Sequence, residues 1–381
     1  MVIGLQRLLE SKELFRDRKI GLVTNRSGVT PDLRRNIDAI LEAGLDLRVI
    51  FSPEHGLYAA ARDGEPVSET SDPLTGLPVI STYPRIDEAI ERVKDFADTV
   101  FFDIQDVGVR FYTYISTLRK FIEGAVERDF EVVVLDRPNP ITGRIEGWMP
   151  EREYRSFVCA ADVPVRHGLT IGEIARIYAA ELEAHELVQV VTMLGYDKTM
   201  WFEETGLFWV PPSPNIPTVE TALVYAGAGF IEGTNLSEGR GTTRPFHLIG
   251  APWIDAFSLT ESMNVFRFPG VRFLPAFFRP TISKHAGELC QGVEVFVTDR
   301  SLFRPIEVVL WLIQTVRDAY PEDFRWTENR DGFWIDRLAG TSRLREAIEA
   351  GSLVDFLNEN MVSAQYLDQL EPLLLYHNSG G

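Results

Sequence analysis

Glu54 and His55 stand where a short apolar run stops and the chain is forced to turn. Residues 49–51 are apolar, Pro53 cannot donate a hydrogen bond to a sheet, and Gly56 allows backbone angles that other residues avoid. The pattern predicts a buried strand that ends in a sharp turn carrying a carboxylate and an imidazole. Both groups transfer protons in enzymes. The alternative is a loop carboxylate with a hydrogen-bonded histidine beside it.

Two later apolar runs end in the same way. Residues 99–102 lead into the acidic run 103–106, and residues 131–135 lead into Asp-Arg-Pro-Asn-Pro at 136–140. Parallel strands end at one edge of a sheet, and open α/β sheets bind their ligands there. The three strand ends therefore predict one acidic active cleft. The chain has neither a G-x-G-x-x-G nor a G-x-x-x-x-G-K-[ST] motif, so we expect no dinucleotide and no P-loop nucleotide.

Continuous apolar strands that alternate with helical patterns indicate a parallel sheet covered on both faces. Further strands are predicted at residues 19–25 and 78–81, a helix at 87–96, and another from Thr30 to 41, because Pro31 suits a first helical turn.

The proline-rich residues 211–218 suggest a change of domain, and an alternating strand and an apolar helix follow it. We predict an α/β protein with a Rossmann-like catalytic domain over residues 1–224. A smaller α/β (α+β) domain over 225–381 should complete the active cleft between the two.

The 381 residues exceed one typical core, and the net charge of −18 disfavours nucleic acid and anionic membranes as partners. An anionic ligand therefore needs a local cluster of Arg or Lys. No stretch is apolar enough to span a bilayer and no export signal opens the chain, so we expect a cytoplasmic protein. Cys159 and Cys290 lack metal-ligand spacing and are expected to be buried thiols.

Four more polar motifs occur later in the chain: residues 166–168, 212–215, 233–243 and 283–285. Taken in order with the three strand ends, they resemble the exo-β-N-acetylmuramidase family, formerly catalogued as a domain of unknown function. The resemblance covers nearly the whole chain. It implies a two-domain Rossmann-like fold and removal of β-1,4-linked N-acetylmuramic acid from the non-reducing end of peptidoglycan-derived glycans.

The resemblance also implies that Glu54, in the Pro-Glu-His-Gly motif, is the catalytic glutamate. The sequence departs from relatives at residues 57–62, where glycine is common in the family. Glycoside hydrolysis usually employs two carboxyl groups. We expect Glu54 to be the general acid and Asp106 the second carboxylate, with Asp103, Glu238 and Asp136 as alternatives. The substrate's own acetamido oxygen is another candidate nucleophile.

Polar and aromatic residues of the same motifs are expected to bind the substrate. They are His55, Asp103, Gln105, Arg110, Tyr112, Asp136, Arg137, Asn139, Arg166, His167, Asn215, Asn235, Glu238, Arg240, Lys284 and His285. Among the cations, Arg110, Arg137, Arg166, Arg240 and Lys284 are candidates for the lactyl carboxylate of muramic acid, since an arginine fork binds a carboxylate with two parallel hydrogen bonds.

Two other functions stay open at this point. The first is a metal-dependent hydrolase of a small anionic substrate that uses His55, Asp103 and His167, although their spacing matches no recognised ligand pattern and no metal or other cofactor is expected. The second is a sugar-binding protein without catalytic activity.

Overall fold

The computed structural model describes residues 1–62, 64–65, 68–330, 332–360 and 362–376. The strands are β1 (Lys19–Val23), β2 (Asp46–Ser52), β3 (Thr70–Ser71), β4 (Pro78–Ser81), β5 (Thr99–Phe102), β6 (Glu131–Leu135), β7 (Val188–Val191), β8 (Leu248–Ala251), β9 (Val271–Phe278), β10 (Cys290–Val297), β11 (Glu328–Asn329) and β12 (Gly332–Phe333). The α-helices are α1 (Gly4–Glu10), α2 (Asn36–Glu42), α3 (Ile86–Glu91), α4 (Val93–Phe96), α5 (Tyr114–Arg128), α6 (Ile171–Glu181), α7 (Val219–Ala228), α8 (Ala256–Val265), α9 (Pro305–Ala319), α10 (Trp334–Ala339), α11 (Arg343–Ala350), α12 (Leu353–Glu359) and α13 (Ala364–Leu370).

The chain forms two compact units, and neither is one continuous stretch. The first unit contains Met1–Arg144, His167–Pro217 and Ala364–Gly381, and the second contains Ile145–Arg166 and Thr218–Ser363. Residues 145–166 therefore pack with the second unit, and the tail from Ala364 packs with the first.

The first unit is built on a mostly parallel sheet with the strand order β3-β4-β2-β1-β5-β6-β7. Only the short β3 is antiparallel to its neighbour in this sheet, as the described residues show. Both faces of the sheet are covered, which suits its apolar strands. Ile50 packs in one core with Leu5 of α1 and Ile37 of α2. The next residue, Phe51, packs on Phe121 of α5 with ring centroids 5.3 Å apart. The predicted Rossmann-like sheet is confirmed.

The strand order fixes where a ligand should bind. The chain runs outward from β1 to β2 and β4, and then returns to place β5 on the other side of β1. This reversal makes β1 and β5 the topological switch point, and the crevice outside their carboxyl ends is the usual binding position in such sheets. β2 and β6 run parallel to these strands and end at the same edge.

The second unit holds a smaller antiparallel sheet in the order β8-β10-β9, on which α8 packs. The predicted smaller α/β unit is thereby confirmed. Helices α7 and α9 also pack closely, and a side chain at Gly227 would collide with the backbone of Pro305. Within the described part of the chain, no helix has both the length and the apolar character needed to cross a membrane.

Two helix predictions are wrong in detail. The helix expected from Thr30 begins only at Asn36, because the Thr30 hydroxyl bonds the Asp32 side chain and accepts a hydrogen bond from the Arg34 amide, which favours a turn. The helix expected over residues 87–96 is two short helices, α3 and α4. They are separated at Arg92, whose amide bonds the Ala89 carbonyl three residues back.

Candidate active site

Glu54 lies two residues beyond the end of β2, in a turn that holds its carboxylate from two sides. The Thr113 hydroxyl donates to Oε2 (2.8 Å) and the Gly64 amide donates to Oε1 (3.1 Å). His55 and Gly56 have positive φ (73° and 76°), which the turn requires. Glu54 nevertheless stays partly exposed. The carboxylate is thus oriented at the carboxyl edge of the sheet and still reachable.

His55 stabilises this turn through its side chain and its carbonyl. Its Nδ1 donates to the Ala61 carbonyl (3.1 Å), and its own carbonyl accepts from the amides of Ala60 and Ala61 (both 3.1 Å). The loop that carries Glu54 is therefore folded back on itself.

Asp106 and His167 form a buried pair beyond the end of β5. Asp106 Oδ2 accepts from the Gly108 amide (2.7 Å), and His167 Nε2 lies 3.6 Å from the same oxygen. The Leu169 amide donates to His167 Nδ1 (3.1 Å), which leaves the ring proton on Nε2. Asp106 Oδ1 and His167 Nε2 are both buried, and neither makes a hydrogen bond within the described residues.

The phenol of Tyr114 lies near both catalytic candidates. Burial raises its pKa, and the charges of Glu54 and Asp106 add to the effect. Its hydroxyl donates to the Pro212 carbonyl (2.6 Å) and accepts from Asn25 Nδ2 (2.7 Å). The ring of Tyr112 packs edge to face against that of Tyr114, with centroids 4.7 Å apart.

The switch point itself is held by hydrogen bonds across β1 and β5. The Thr24 hydroxyl donates to the Asp103 carbonyl (2.8 Å), and the Gln105 amide donates to Ser27 Oγ (3.1 Å). The side chain of Gln105 donates to the carbonyls of Asp106 and Pro138 (both 2.8 Å). Gln105 therefore ties the end of β5 to the loop after β6.

Asp103 and Arg137 form a buried ion pair. Arg137 donates to the two oxygens of the Asp103 carboxylate from Nε (2.7 Å) and Nη2 (3.1 Å). Its Nη2 also donates to the Val29 carbonyl (2.9 Å). Asn36, in the first turn of α2, donates to Asp103 Oδ2 (2.8 Å). Both charged side chains are almost fully buried. The ion pair therefore joins the ends of β5 and β6 at the carboxyl edge of the sheet.

Asp136 and Asn139 connect the end of β6 to the start of α6. Asp136 accepts from the amides of Gly172 and Arg137 and from the hydroxyls of Thr170 and Tyr376, at 2.6–3.0 Å. Asn139 donates to the Leu169 carbonyl (2.9 Å) and accepts from the Ile141 amide (3.1 Å). Thr170 caps α6 in a capping box with Glu173.

The second unit carries its own charged cluster. Lys284 Nζ donates to the carbonyls of Ile231 (2.9 Å) and Thr234 (2.8 Å), and it forms an ion pair with Glu238 Oε2 at 3.1 Å. Arg240 bonds Glu238 and Glu232. Burial alone would raise the pKa of Glu238, but the charges of Lys284 and Arg240 outweigh it and lower the pKa to about 2.

The remaining predicted residues are placed as follows. In the second unit, His285 Nε2 donates to the Asn235 carbonyl (2.8 Å), and the Asn235 side chain bonds the backbone of Asp323 and Arg325. Arg166 pairs with Glu146 in that unit. Arg110 and Asn215 are buried in the first unit.

The structure thus collects Glu54, Asp106 and His167 in the first unit. Sequence reasoning missed Asn25, Gly64 and Thr113, because single polar residues in loops form no motif. Among the described residues, no three potential ligands gather into a metal site.

Fold and site together define an α/β enzyme with carboxylates near the switch point of a parallel sheet. Residues 20–220 match the family described as exo-beta-N-acetylmuramidase NamZ, N-terminal, and residues 223–376 match its C-terminal counterpart. The chain is 44% identical over 355 residues to the peptidoglycan beta-N-acetylmuramidase NamZ of Bacillus subtilis, covering 92% of this chain and 85% of that protein.

Two crystal structures of DUF1343 family proteins from Bacteroides fragilis share the fold. One has a TM-score of 0.86 and 32% identity over 98% of both chains, and the other has a TM-score of 0.75 and 26% identity over 99% of both. The chain belongs to the exo-β-N-acetylmuramidase NamZ family, and it is a glycoside hydrolase. The resemblance inferred from the sequence motifs is confirmed.

Proposed function

We propose that the enzyme releases N-acetylmuramic acid from the non-reducing end of peptidoglycan-derived β-1,4 glycans, with Glu54 as general acid. The observation that carries this assignment is the state of Glu54: a partly exposed carboxylate at the carboxyl edge of the sheet, oriented by Thr113 and Gly64. An acid that protonates a glycosidic oxygen must be reachable by the substrate and fixed in direction. Glu54 meets both conditions.

We further propose that Asp106 stabilises the positive charge that develops on the sugar ring. A buried carboxylate oxygen without a hydrogen-bond partner costs about 1–3 kcal/mol, and such costs are retained where function requires them. A fixed charge in a poorly solvated site acts strongly on developing charge nearby. In this proposal the Gly108 amide holds the Asp106 carboxylate in place. The substrate's acetamido oxygen is the alternative nucleophile.

Hydrolysis of para-nitrophenyl N-acetyl-β-muramide, measured beside the corresponding glucosaminide, tests the function. We expect release of nitrophenol from the muramide, a much lower rate with the glucosaminide, and no effect of a chelator. Equal rates on both sugars would refute selection for muramic acid. Activity lost to the chelator and restored by a metal would favour the metal-dependent hydrolase instead, and tight binding without turnover would favour a binding protein.

We propose that the natural substrate consists of recovered wall fragments and that the reaction takes place in the cytoplasm. Cys159 and Cys290 are buried thiols, which suits a reducing compartment. Fractionation of cells that make the protein at its native level checks this. Recovery of the activity outside the cytoplasmic membrane would contradict it.

A further inference from the structure

A groove of about 320 Å³ lies in the first unit, beside the carboxyl end of β4, and the mechanism proposed above does not use it. Tyr83, Pro84 and Ala89 contribute the apolar part of its lining. Sites for small ligands commonly enclose about 300–1,000 Å³ behind aromatic and apolar walls. The groove stands at the lower end of this range, so its size suits a single ring better than a chain.

The register of the sheet places this groove next to Glu54. β2 and β4 are adjacent parallel strands, and their last residues, Ser52 and Ser81, are paired. Glu54 and Tyr83 each stand two residues beyond that pair. The Thr82 amide continues the pairing by donating to the Ser52 carbonyl (2.9 Å). Because neighbouring strands lie about 4.7–4.9 Å apart, the acid and the tyrosine leave the same edge side by side.

Gly64 connects the catalytic carboxylate to the groove. Its amide donates to Glu54 Oε1 (3.1 Å), and a side chain at Gly64 would meet the Tyr83 hydroxyl at 3.8 Å. The Ser81 hydroxyl fixes the backbone of Tyr83, since it accepts from the Tyr83 amide (3.3 Å) and donates to the Tyr83 carbonyl (2.9 Å). The ring stays partly exposed. It therefore offers apolar area beside the acid at little entropic cost.

The charges that line the groove balance one another. Among its described lining residues there are two carboxylates and two guanidinium groups. Arg92 pairs with Glu69, and Arg85 lies 3.5 Å from Glu88. An acidic sugar gains little from guanidinium groups that already have partners, and the net charge of −18 repels it. The lining therefore favours an uncharged ring.

The strand order shows on which side of Glu54 the groove lies. In the order β4-β2-β1-β5, Tyr83 follows β4 on one side of Glu54, and Asp106 follows β5 on the other. The acid of a glycosidase protonates the oxygen between the cleaved sugar and the leaving sugar. If Asp106 stabilises the cleaved sugar, the leaving sugar lies toward β4, where the groove is.

We propose that this groove holds the leaving sugar, with the apolar face of an uncharged amino sugar against the Tyr83 ring. The ligand class is N-acetylglucosamine, whose 4-oxygen takes the proton from Glu54 as its bond to the cleaved sugar breaks. The inference rests on the proposed function and adds Tyr83 as a residue that determines specificity for the leaving group.

The test compares two substrates that share the cleaved sugar and differ in the leaving group. One is the disaccharide N-acetylmuramyl-β-1,4-N-acetylglucosamine, and the other is the β-fluoride of N-acetylmuramic acid, whose leaving atom cannot fill the groove. Tyr83→Ala should raise KM for the disaccharide about 3- to 10-fold with kcat nearly unchanged. The ratio of kcat/KM for the disaccharide to that for the fluoride should fall by the same factor. Tyr83→Phe keeps the ring, so its ratio should fall less.

Phe257→Ala is the matched control, since it removes an exposed aromatic ring from α8 in the second unit. It should leave the ratio as it is. If Tyr83→Ala folds poorly, Tyr83→Leu keeps more of the apolar packing and should still lower the ratio. An unchanged ratio in the Tyr83 variants, or an equal fall in Tyr83→Ala and Tyr83→Phe, would overturn the inference.

Failure of the proposed function has a different signature, because the unmodified enzyme would then cleave neither substrate. In that case saturation-transfer NMR with methyl N-acetyl-β-glucosaminide still decides. Saturation of the sugar protons that is lost in Tyr83→Ala supports the groove. Saturation that persists in this variant, or that is absent with the unmodified protein, refutes it.

Discussion

Glu54 differs from its acidic neighbours in how much of its hydrogen-bonding capacity the fold uses. Asp136 accepts four hydrogen bonds and is fully buried, and Asp103 is gripped by Arg137 and Asn36. Glu54 accepts two and remains partly exposed. A carboxyl group already saturated by donors has little capacity left for a substrate. Among these three strand-end acids, Glu54 is therefore the one suited to proton transfer.

Replacing Glu54 by Gln should lower kcat about 10²- to 10⁴-fold, because it removes the proton donor with little change of shape. The amide oxygen can still accept from the Gly64 amide, and the Thr113 hydroxyl can turn to accept from the amide NH2, so the melting temperature should hardly move. Glu65→Gln is the matched control: it lies in the same loop, exposed, and should keep full activity. Retention of more than about a tenth of kcat by the Glu54 variant would show that Glu54 is not the acid. Leaving groups that need no protonation should partly restore its rate.

Replacing Arg137 should lower the stability of the fold and leave the preference for muramide over glucosaminide unchanged. Arg137→Met leaves Asp103 buried without its partner charge, which costs about 3–5 kcal/mol. Lys284→Met should act the same way more weakly, because Lys284 is partly exposed. Melting curves, with kcat/KM for muramide and glucosaminide, check both. An unchanged melting temperature with a loss confined to the muramide would assign either residue to the lactyl carboxylate after all.

The lactyl carboxylate then needs a cation elsewhere among the predicted set. Arg110, Arg166 and Arg240 are the remaining candidates from the sequence analysis, and one experiment tests all three. Replacing the right one by Met should lower kcat/KM for the muramide about 10- to 100-fold, the effect of a charge-assisted hydrogen bond of roughly 1.5–3 kcal/mol. The glucosaminide should be spared. Equal losses on both sugars in all three variants would rule out selection through this carboxylate.

Sequence reasoning located the acidic residues but not their partners. Glu54, Asp103, Asp106 and Asp136 each follow an apolar run, which is a local signal. That Asp103 is neutralised by Arg137 depends on β5 and β6 being neighbours, and that Glu54 meets Thr113 depends on where α5 begins. Such pairings are long-range, so no spacing within one segment reveals them.

At the level of elements, an acid with a raised pKa, Asp136, joins the end of β6 to the start of α6. Burial raises the pKa of Asp136 to about 7, although the hydrogen bonds from Tyr376, Gly172 and Thr170 act the other way. Because its pKa is above the ordinary 3.8, the folded protein binds this proton more tightly than the unfolded chain does. Protonated Asp136 therefore stabilises the fold, and the stabilisation is complete below about pH 4. This contribution is lost as the pH rises through about 7.

Asp136→Asn should remove that pH dependence, because the amide cannot ionise and the Thr170 and Tyr376 hydroxyls can turn to accept from it. The melting temperature of the unmodified protein minus that of the variant should fall between about pH 4 and pH 8. Thermal melts across this range measure it. A difference that grows with pH would show that the four donors keep Asp136 ionised and its pKa low.

Asp255 provides a control, because its contribution to stability has the opposite dependence on pH. It caps α8 from an exposed position, and its pKa is lowered by hydrogen bonds from Ser258. The ionised Asp255 carboxylate contributes its full stabilisation above the ordinary pKa of 3.8. This stabilisation is lost as the pH falls through the lower pKa of the folded state. For Asp255→Asn, the melting temperature of the unmodified protein minus that of the variant should therefore rise with pH, which is the opposite trend to that of Asp136→Asn.

The elements that sequence patterns predicted well are those governed by burial. Parallel strands such as β5 and β6 are apolar on both faces, and α9 is a long apolar helix. The start of α2 was misplaced because a side-chain turn at Thr30 competes with the helix that Pro31 would allow. Local hydrogen bonds of this kind depend on geometry that composition does not encode.

On the scale of the whole molecule, the chain returns at its end to the unit in which it began. The Leu375 amide donates to Glu173 (3.1 Å), and Arg176 donates to the Leu374 carbonyl (3.3 Å). The Tyr376 hydroxyl donates to Asp136 Oδ2 (2.6 Å) and accepts from the Met193 amide (2.8 Å). The sequence analysis placed this tail in the second domain, because it drew one boundary at the proline-rich residues 211–218. A contact across 240 residues leaves no local pattern in the sequence.

Tyr376 should therefore stabilise the first unit from the far end of the sequence. Tyr376→Phe leaves a buried carboxyl oxygen and a buried amide each short of one partner, which costs about 1–3 kcal/mol and should lower the melting temperature by several degrees. A chain that stops after residue 363 should lose more, because the backbone contacts of 374 and 375 go as well. Leu367→Ala, at an exposed position of α13, is the control and should be nearly neutral. If both Tyr376→Phe and the shortened chain melt like the full protein, the tail contributes nothing to the first unit. If the loss in Tyr376→Phe disappears in an Asp136→Asn background, the stabilisation passes through the Tyr376–Asp136 hydrogen bond itself.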